Sequence, residues 1–87
     1  MKLYINDSDY IKITRYNYGY VCQIMRLMNS DCSYLSSIIE KQEIAVSTII
    51  EEDYIYSETN VIFDTLEEVI QYHTNCVFEY YKFRDEN

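Results

Sequence analysis

The chain has 87 residues, which is enough for one domain with one hydrophobic core and too few for two. It contains 7 Lys and Arg against 15 Asp and Glu, and the resulting net charge of −8 excludes a nucleic-acid-binding module that neutralises phosphates. A content of 48% hydrophobic residues is too high for a disordered tail. With 1 Gly and no Pro, the chain has neither a glycine-rich phosphate loop nor a proline-rich ligand.

The N-terminal residues and the cysteines indicate the compartment. Asn6 and Asp7 interrupt the chain before an apolar stretch of signal-peptide length can form, and no stretch approaches the length of a membrane span. The cysteines, Cys22, Cys32 and Cys76, are an odd number and too few for a disulfide-stapled secreted domain. We therefore expect a soluble, cytoplasmic protein whose cysteines are reduced thiols in or near the core.

The first 28 residues predict three strands. Lys2–Ile5 is a short β-prone segment that ends at a run of polar residues. Tyr10–Tyr16 and Tyr20–Met28 predict a hairpin, because Gly19 supplies a positive φ for the turn over residues 17–19. Alternation along Tyr10–Tyr16 places its two isoleucines on one face and its tyrosines on the other.

The middle of the chain predicts one helix and further strands. Helix-capping residue types at 29–31, followed by apolar residues at helical spacing, predict a helix over Cys32–Lys41. Alternation and β-branching predict a strand over Ile44–Ile50. Tyr54–Ser57 and Val61–Phe63 are further β-prone segments.

The clearest predicted element is a helix over Thr65–Thr74. Asp64 is predicted as its cap, with Glu67 three residues later bonding back, and Asn75 as the residue that ends it. Its apolar face is expected to contain Leu66, Val69, Ile70 and His73. Cys76–Phe83 then predicts a final aromatic strand. The order β-β-β-α-β-β-α-β predicts a single α+β domain over residues 1–87, with a mainly antiparallel sheet and two helices.

Cysteine and histidine are the residue types from which a metal or catalytic site would be built. His73 and Cys76 form an H-x-x-C pair, and Cys22 and Cys32 would complete four zinc ligands, but their spacing lacks the paired-cysteine knuckle of structural zinc sites. The alternative is a histidine at a helix end beside a buried thiol. We expect no metal, no cofactor and no enzymatic activity, and keep a small Cys/His metal protein or enzyme as a third hypothesis.

Charge is distributed unevenly along the chain. Residues 1–30 carry a net charge of +2, whereas residues 42–81 contain 9 acidic side chains and no Lys or Arg. A block of one sign repels itself, which favours a role in binding a basic partner, although a solvated face kept for solubility explains the same pattern. Tyr54 and Tyr56 alternate inside the block, so a strand places both on one face. The predicted partner-binding residues are Glu43, Glu51, Glu52, Asp53, Tyr54, Tyr56, Glu58, Asp64, Glu67 and Glu68.

The chain is small and acidic and contains many Tyr, Ile and Asn residues, which gives a resemblance at the level of class, without a shared motif. In these respects the chain resembles inhibitors encoded by phages and mobile elements of AT-rich bacteria, such as anti-CRISPR proteins. The resemblance implies an acidic surface that mimics phosphate and blocks the basic nucleic-acid-binding groove of a bacterial nuclease or defence complex. The alternative is an immunity or antitoxin protein that neutralises one nuclease toxin. A homodimer through a sheet edge or the tyrosine-rich face is left open.

Overall fold

The computed structural model describes residues 1–27, 33–36, 38, 48–51, 53–57 and 61–86. Its strands are β1 (Lys2–Tyr4), β2 (Tyr10–Tyr16), β3 (Gly19–Leu27), β4 (Thr48–Glu51), β5 (Tyr54–Ser57) and β6 (Val61–Phe63). A 3₁₀ helix, Ser33–Leu35, precedes β4, and the 21-residue helix α1 (Leu66–Glu86) follows β6. The predicted α+β class with an antiparallel sheet is confirmed.

The described strands form one antiparallel sheet in the order β1-β2-β3-β5-β4, and β6 also pairs with β3. Strands β5 and β6 lie along the same side of β3, opposite β2. Met25 of β3 pairs with Tyr56 of β5, and Cys22 of β3 pairs with Val61 of β6.

The β2–β3 hairpin turns where the sequence predicts. Tyr16 pairs with Gly19, which leaves Asn17 and Tyr18 as a two-residue loop. Gly19 has a φ of 142°, a region that residues with a side chain rarely adopt. A Cβ at this position would also collide with the carbonyl oxygen of Phe63 on β6. Glycine is thus required both by the turn and by the close approach of β6.

The C-terminal part of the chain differs from the prediction. The helix does not end at Asn75, and the predicted strand Cys76–Phe83 is wrong, because α1 continues to Glu86. Buried and half-buried side chains recur at helical spacing through both segments, namely at Val69, Tyr72, Cys76, Val77, Tyr80 and Phe83. No Gly or Pro interrupts this pattern. Packing on the sheet therefore outweighs the β-propensity of the aromatic residues.

The hydrophobic core lies between one face of the sheet and α1. Ile11 and Ile13 of β2 are buried there, as predicted, together with residues of β3, the 3₁₀ helix and α1. The opposite face of the sheet is called the open face below, because α1 does not pack against it. It carries the tyrosines of β1 and β2, and one of these, Tyr10, is buried by its neighbours. Cys22 and Cys76 are buried free thiols, which confirms the prediction for these two; Cys32 lies outside the described residues.

The other predicted elements are covered in part. Within the predicted helix Cys32–Lys41 the structure describes the 3₁₀ helix Ser33–Leu35 and little else, and of the predicted strand Ile44–Ile50 it describes the residues that belong to β4. The predicted pair of helices and the strand count are therefore not matched in the described ranges, where α1 is the one long helix. In those ranges no helix is both long enough and apolar enough to cross a membrane.

Candidate partner-binding surface

The structure divides the predicted partner-binding residues into two groups. Asp53 is exposed between β4 and β5, next to Glu51 at the end of β4 and Tyr54 at the start of β5. We call these three residues the acidic turn. The second group surrounds the first turn of α1 and consists of the exposed residues Asp64, Glu67 and Glu68. The predicted residues outside the described ranges are Glu43, Glu52 and Glu58.

The two groups lie far apart along the sheet. Tyr54 pairs with Leu27, near the C-terminal end of β3, whereas Phe63, next to Asp64, pairs with Tyr20 near its start. These positions on β3 are seven residues apart, which corresponds to roughly 23 Å along a strand. A single small contact cannot include both groups, and each needs its own explanation.

The group at the start of α1 has a role in the helix itself. The Glu68 amide donates to Thr65 Oγ1 at 3.3 Å, and that hydroxyl donates to Glu68 Oε1 at 3.1 Å. Thr65 is therefore the cap, and the predicted capping box from Asp64 to Glu67 is wrong by one residue. Acidic residues in a first turn also compensate the helix dipole, so helix stability alone accounts for this group.

The acidic turn adjoins a row of packed tyrosines on the open face. The ring of Tyr54 lies 5.2 Å from that of Tyr10, which lies 5.3 Å from that of Tyr4. Lys2 Nζ sits 4.7 Å from the centroid of the Tyr10 ring. We call Tyr4, Tyr10 and Tyr54 the tyrosine row. The row extends from the edge strand β1 across the sheet to the acidic turn.

Strand register places Tyr54 and Tyr56 on the same face. Tyr54 pairs with Leu27 and Tyr56 with Met25, and Met25 in turn pairs with Tyr10. Alternate residues of a strand share a face, so both tyrosines of β5 occupy register positions on the open face, as the sequence predicts. Sequence reasoning left Tyr4 and Tyr10 out of the site, although the β1–β2 pairing that joins them follows from the alternation of both segments.

The hydroxyl of Tyr54 is a neutral hydrogen-bond donor. Desolvation by its neighbours, followed by the nearby hydroxyls of Tyr4 and Tyr10, raises the pKa of Tyr54, and the positive charge of Lys2 opposes this in part. A phenol whose pKa lies above 10 is a neutral donor at physiological pH. The acidic turn therefore presents the carboxylate of Asp53 as a hydrogen-bond acceptor beside one donor from Tyr54.

A buried carboxylate that the sequence did not reveal fixes the strand below the acidic turn. Asp9 accepts hydrogen bonds from the hydroxyl of Tyr34 at 2.7 Å, from the Leu27 amide at 3.0 Å and from Asn6 Nδ2 at 3.2 Å. Leu27 is the residue of β3 that pairs with Tyr54. Asp9 thus joins the β1–β2 turn, the 3₁₀ helix and the end of β3. A short polar loop gave no signal that one of its two aspartates is buried.

Cys22 and Cys76 lie in the core, and His73 contacts the edge strand of the sheet. Burial raises the pKa of Cys22 to about 11, and burial followed by the proximity of Cys22 and Glu79 raises that of Cys76 to about 12. The sequence analysis placed His73 at a helix end, but this residue lies within α1. Its Nε2 donates to the carbonyl oxygen of Tyr4 at 2.7 Å. Within the described ranges, no three His, Cys, Asp or Glu side chains converge on a common point where a metal ion would bind.

Comparisons with known proteins give no further identification. A scan of protein-family models, a search of curated proteins and a search of solved structures each find no match to this chain.

Proposed function

We propose that the protein is a non-catalytic inhibitor that binds a basic, nucleic-acid-binding surface of a bacterial nuclease or defence complex. The observation that carries this proposal is the acidic turn beside the tyrosine row. Asp53 is exposed, Tyr4 is about half exposed, and Tyr54 links them through Tyr10. The proposed contact surface consists of the acidic turn and the tyrosine row.

This combination of groups suits a surface that binds nucleic acid. Such surfaces present Arg and Lys side chains to phosphates, and a carboxylate offers the same cations a similar acceptor. Tyrosine rings add cation–π contacts and hydrogen bonds, and tyrosine is enriched in protein interfaces. Because residues 42–81 contain no Lys or Arg, no basic side chain from that span opposes the approach of a basic partner.

Packing of the tyrosine row favours affinity. Tyr10 is buried between Tyr4 and Tyr54, so the rings hold one another in place before a partner arrives. Ordering a flexible side chain on binding costs about 0.5–1.5 kcal/mol, and a preformed row avoids part of that cost. The row therefore supplies apolar contact area, and the carboxylates supply attraction at a distance and orientation.

A non-catalytic mechanism agrees with the environment of the cysteine and histidine side chains that the structure describes. Cys22 and Cys76 are buried thiols with raised pKa values, the opposite of what activates a cysteine nucleophile. The Nε2 of His73 donates to a backbone carbonyl and so does not accept a proton through that atom. Inhibition would then follow from occupying the surface that the nucleic acid needs.

Charge reversal of the three consecutive acidic residues at 51–53, two of which belong to the acidic turn, tests the proposal and gives what is called the acidic-turn variant. The bacterial protein that the wild type captures from a lysate is purified, and its binding of a labelled oligonucleotide is measured as the inhibitor is added. We expect the wild type to displace the oligonucleotide and the triple variant Glu51→Lys, Glu52→Lys, Asp53→Lys to need at least a tenfold higher concentration. Each reversed charge should weaken the binding free energy by about 0.5 kcal/mol or more, and three such changes together correspond to a tenfold loss of affinity.

A matched control carries the same change in net charge elsewhere. Asp7, Asp85 and Glu86 are exposed and lie outside the acidic block, so their reversal to Lys should leave displacement within about twofold of the wild type. Both variants are checked for a native circular dichroism spectrum. Equal displacement by the wild type and the acidic-turn variant contradicts the proposal, as does equal loss in both variants, which would indicate that net charge alone matters.

A further inference from the structure

A small open cavity lies between β6 and the first half of α1, and we call it the β6–α1 cavity. Its volume is about 290 Å³, and it is lined by Phe63, Glu68, Gln71, Tyr72 and Asn75. The four lining residues of α1 follow one another at spacings of three, one and three residues, so they share one side of the helix. The volume lies near the lower end of the range for ligand sites, so an occupant must be small.

The apolar part of the lining consists of two aromatic rings. The sequence analysis assigned Leu66 and Ile70 to the buried face of the helix, but they are 42% and 51% exposed, whereas Tyr72 is buried. The ring of Tyr72 lies 5.3 Å from that of Phe63 on β6, at an interplanar angle of 51°. The two rings hold each other in place and present aromatic surface to the cavity.

The rim of the β6–α1 cavity carries one carboxylate and two side-chain amides, all of them exposed. The hydroxyl of Thr65 donates to Glu68 Oε1 at 3.1 Å, which fixes the position of the carboxylate. Gln71 Nε2 donates to Asn75 Oδ1 at 3.0 Å. The hydrogen bonds of the described residues leave Glu68 Oε2 and Gln71 Oε1 as further acceptors. The rim therefore offers a negative charge and acceptor oxygens.

Aromatic rings beside a carboxylate and an amide oxygen are the groups that bind a guanidinium ion. This flat cation packs against aromatic faces, and its N–H donors lie in one plane, where they reach acceptors on a rim. An ammonium group is more strongly hydrated, so it gains less from an aromatic surface. A calcium ion requires six or more oxygen ligands, and Glu68 is the one carboxylate in the lining.

The protein itself supplies no cation from the segment that forms this cavity. Residues 42–81, which include the whole lining, contain no Lys or Arg. Strand register brings Arg15 to this end of the sheet, because Arg15 pairs with Tyr20, which also pairs with Phe63. The guanidinium carbon of Arg15 lies 6.0 Å from the centroid of the Tyr20 ring, and Arg15 does not line the cavity. A guanidinium in the cavity therefore comes from a ligand.

We propose that the β6–α1 cavity binds the guanidinium group of arginine, as the free amino acid or as a side chain of a peptide. The group packs against the rings of Phe63 and Tyr72 and donates to Glu68 and Gln71. The site is independent of the acidic turn, because Phe63 and Tyr54 pair with positions seven residues apart on β3. A ligand in the cavity leaves the proposed contact surface open.

Two-dimensional NMR of the full chain tests the site, because the side-chain amide signals of Gln71 and Asn75 report on the rim directly. N-acetyl-arginine methylamide should shift these signals with a dissociation constant of about 1 mM, as expected for a ligand of this size. The citrulline analogue has a similar shape without the charge, and it should bind at least about fivefold more weakly, as should the lysine analogue. Binding of either analogue as tightly as arginine overturns the proposal, as does the absence of any shift at about 10 mM.

Replacement of single lining residues assigns the binding to the cavity. Glu68→Gln removes the charge and still permits the capping box with Thr65, and it should weaken binding of the arginine analogue at least about fivefold. Glu67→Gln is the matched control, because it removes the same charge from an adjacent exposed residue outside the lining, and it should bind within about twofold of the wild type. Phe63→Leu keeps an apolar side chain without the ring and should weaken binding at least about threefold. Equal affinities of Glu67→Gln and Glu68→Gln overturn the assignment to the cavity.

Comparison with free L-arginine distinguishes the two sources of the guanidinium group. Binding of the free amino acid at least about threefold more tightly than the blocked analogue assigns the site to the small molecule. Equal or weaker binding assigns it to an arginine side chain within a peptide, since the acidic rim repels a free carboxylate.

Discussion

Replacing Asp9 with alanine removes a buried acceptor that holds three parts of the chain together. Three donors would lose an acceptor at once: the hydroxyl of Tyr34, the amide of Leu27 and the side-chain amide of Asn6, which also donates to the Tyr34 hydroxyl at 3.2 Å. The effect should reach the proposed contact surface, because Leu27 pairs with Tyr54. A buried network of this kind is most informative when its members are removed singly and in pairs.

Hydrogen-bond energies set the size of the expected effect. A bond to a charged group contributes about 1.5–3 kcal/mol, and a buried group left without a partner costs about 1–3 kcal/mol. The bond from Tyr34 to Asp9 is short and buried, at 2.7 Å, so Tyr34→Phe should cost about 2 kcal/mol of unfolding free energy. Asp9→Ala, which affects all three donors, should cost about 3–5 kcal/mol, a large part of the stability of a small domain.

Urea unfolding followed by circular dichroism measures these free energies. In the double variant Asp9→Ala, Tyr34→Phe, the second change should cost at least about 1 kcal/mol less than it does alone, because its acceptor is already gone. Asp7→Ala, at an exposed position of the same turn, is the control and should cost under about 0.5 kcal/mol. Additive costs for Asp9 and Tyr34, or a cost below about 0.5 kcal/mol for Asp9→Ala, would refute the network as a stabilising clamp.

Further expected outcomes concern the hairpin, the helix cap and the thiols. Gly19→Ala should lower the unfolding free energy by at least about 2 kcal/mol in urea titrations, because its φ is unfavourable and the added Cβ meets Phe63; a neutral change would contradict the turn geometry. Thr65→Ala should cost about 1 kcal/mol and Asp64→Ala less than half of that, and the reverse order would restore the capping box predicted from the sequence. Burial raises the pKa of Cys76 to about 12, so as pH rises its thiol ionises first in the unfolded chain. The unfolding free energy should therefore fall above pH 9, by about 1 kcal/mol between pH 9 and pH 10 relative to Cys76→Ala. Parallel pH profiles of the two proteins would contradict this.

The β2–β3 hairpin could be predicted because its signals are local. Alternation fixed the faces of β2, and Gly19 marked the hairpin turn to within one residue. The C-terminal helix could not be predicted in full, because its second half is aromatic and reads as a strand by propensity. The residues that indicate a helix there are the apolar ones whose helical spacing continues the buried face of the first half. That spacing outweighs β-propensity only because the sheet provides a surface on which this face is buried.

The candidate site was predictable in composition and not in arrangement. The charge count revealed a long acidic block, but a count along the chain does not show that the acidic turn and the start of α1 lie at opposite ends of β3. Asp9 and the tyrosine row were missed for a related reason. Both depend on pairing between segments distant in sequence, such as Asp9 with Leu27 and Tyr10 with Tyr54.

Hydrogen–deuterium exchange of the protein, free and bound to the partner it captures, tests the central claim most directly. If the acidic turn and the tyrosine row form the contact surface, amides of Asp53–Ser57 and of β1 should gain protection on binding. Amides in the first turn of α1, from Leu66 to Val69, should exchange at the same rate in both states. Protection at the start of α1 without any at Asp53–Ser57 would contradict the claim and move the contact to the other acidic group.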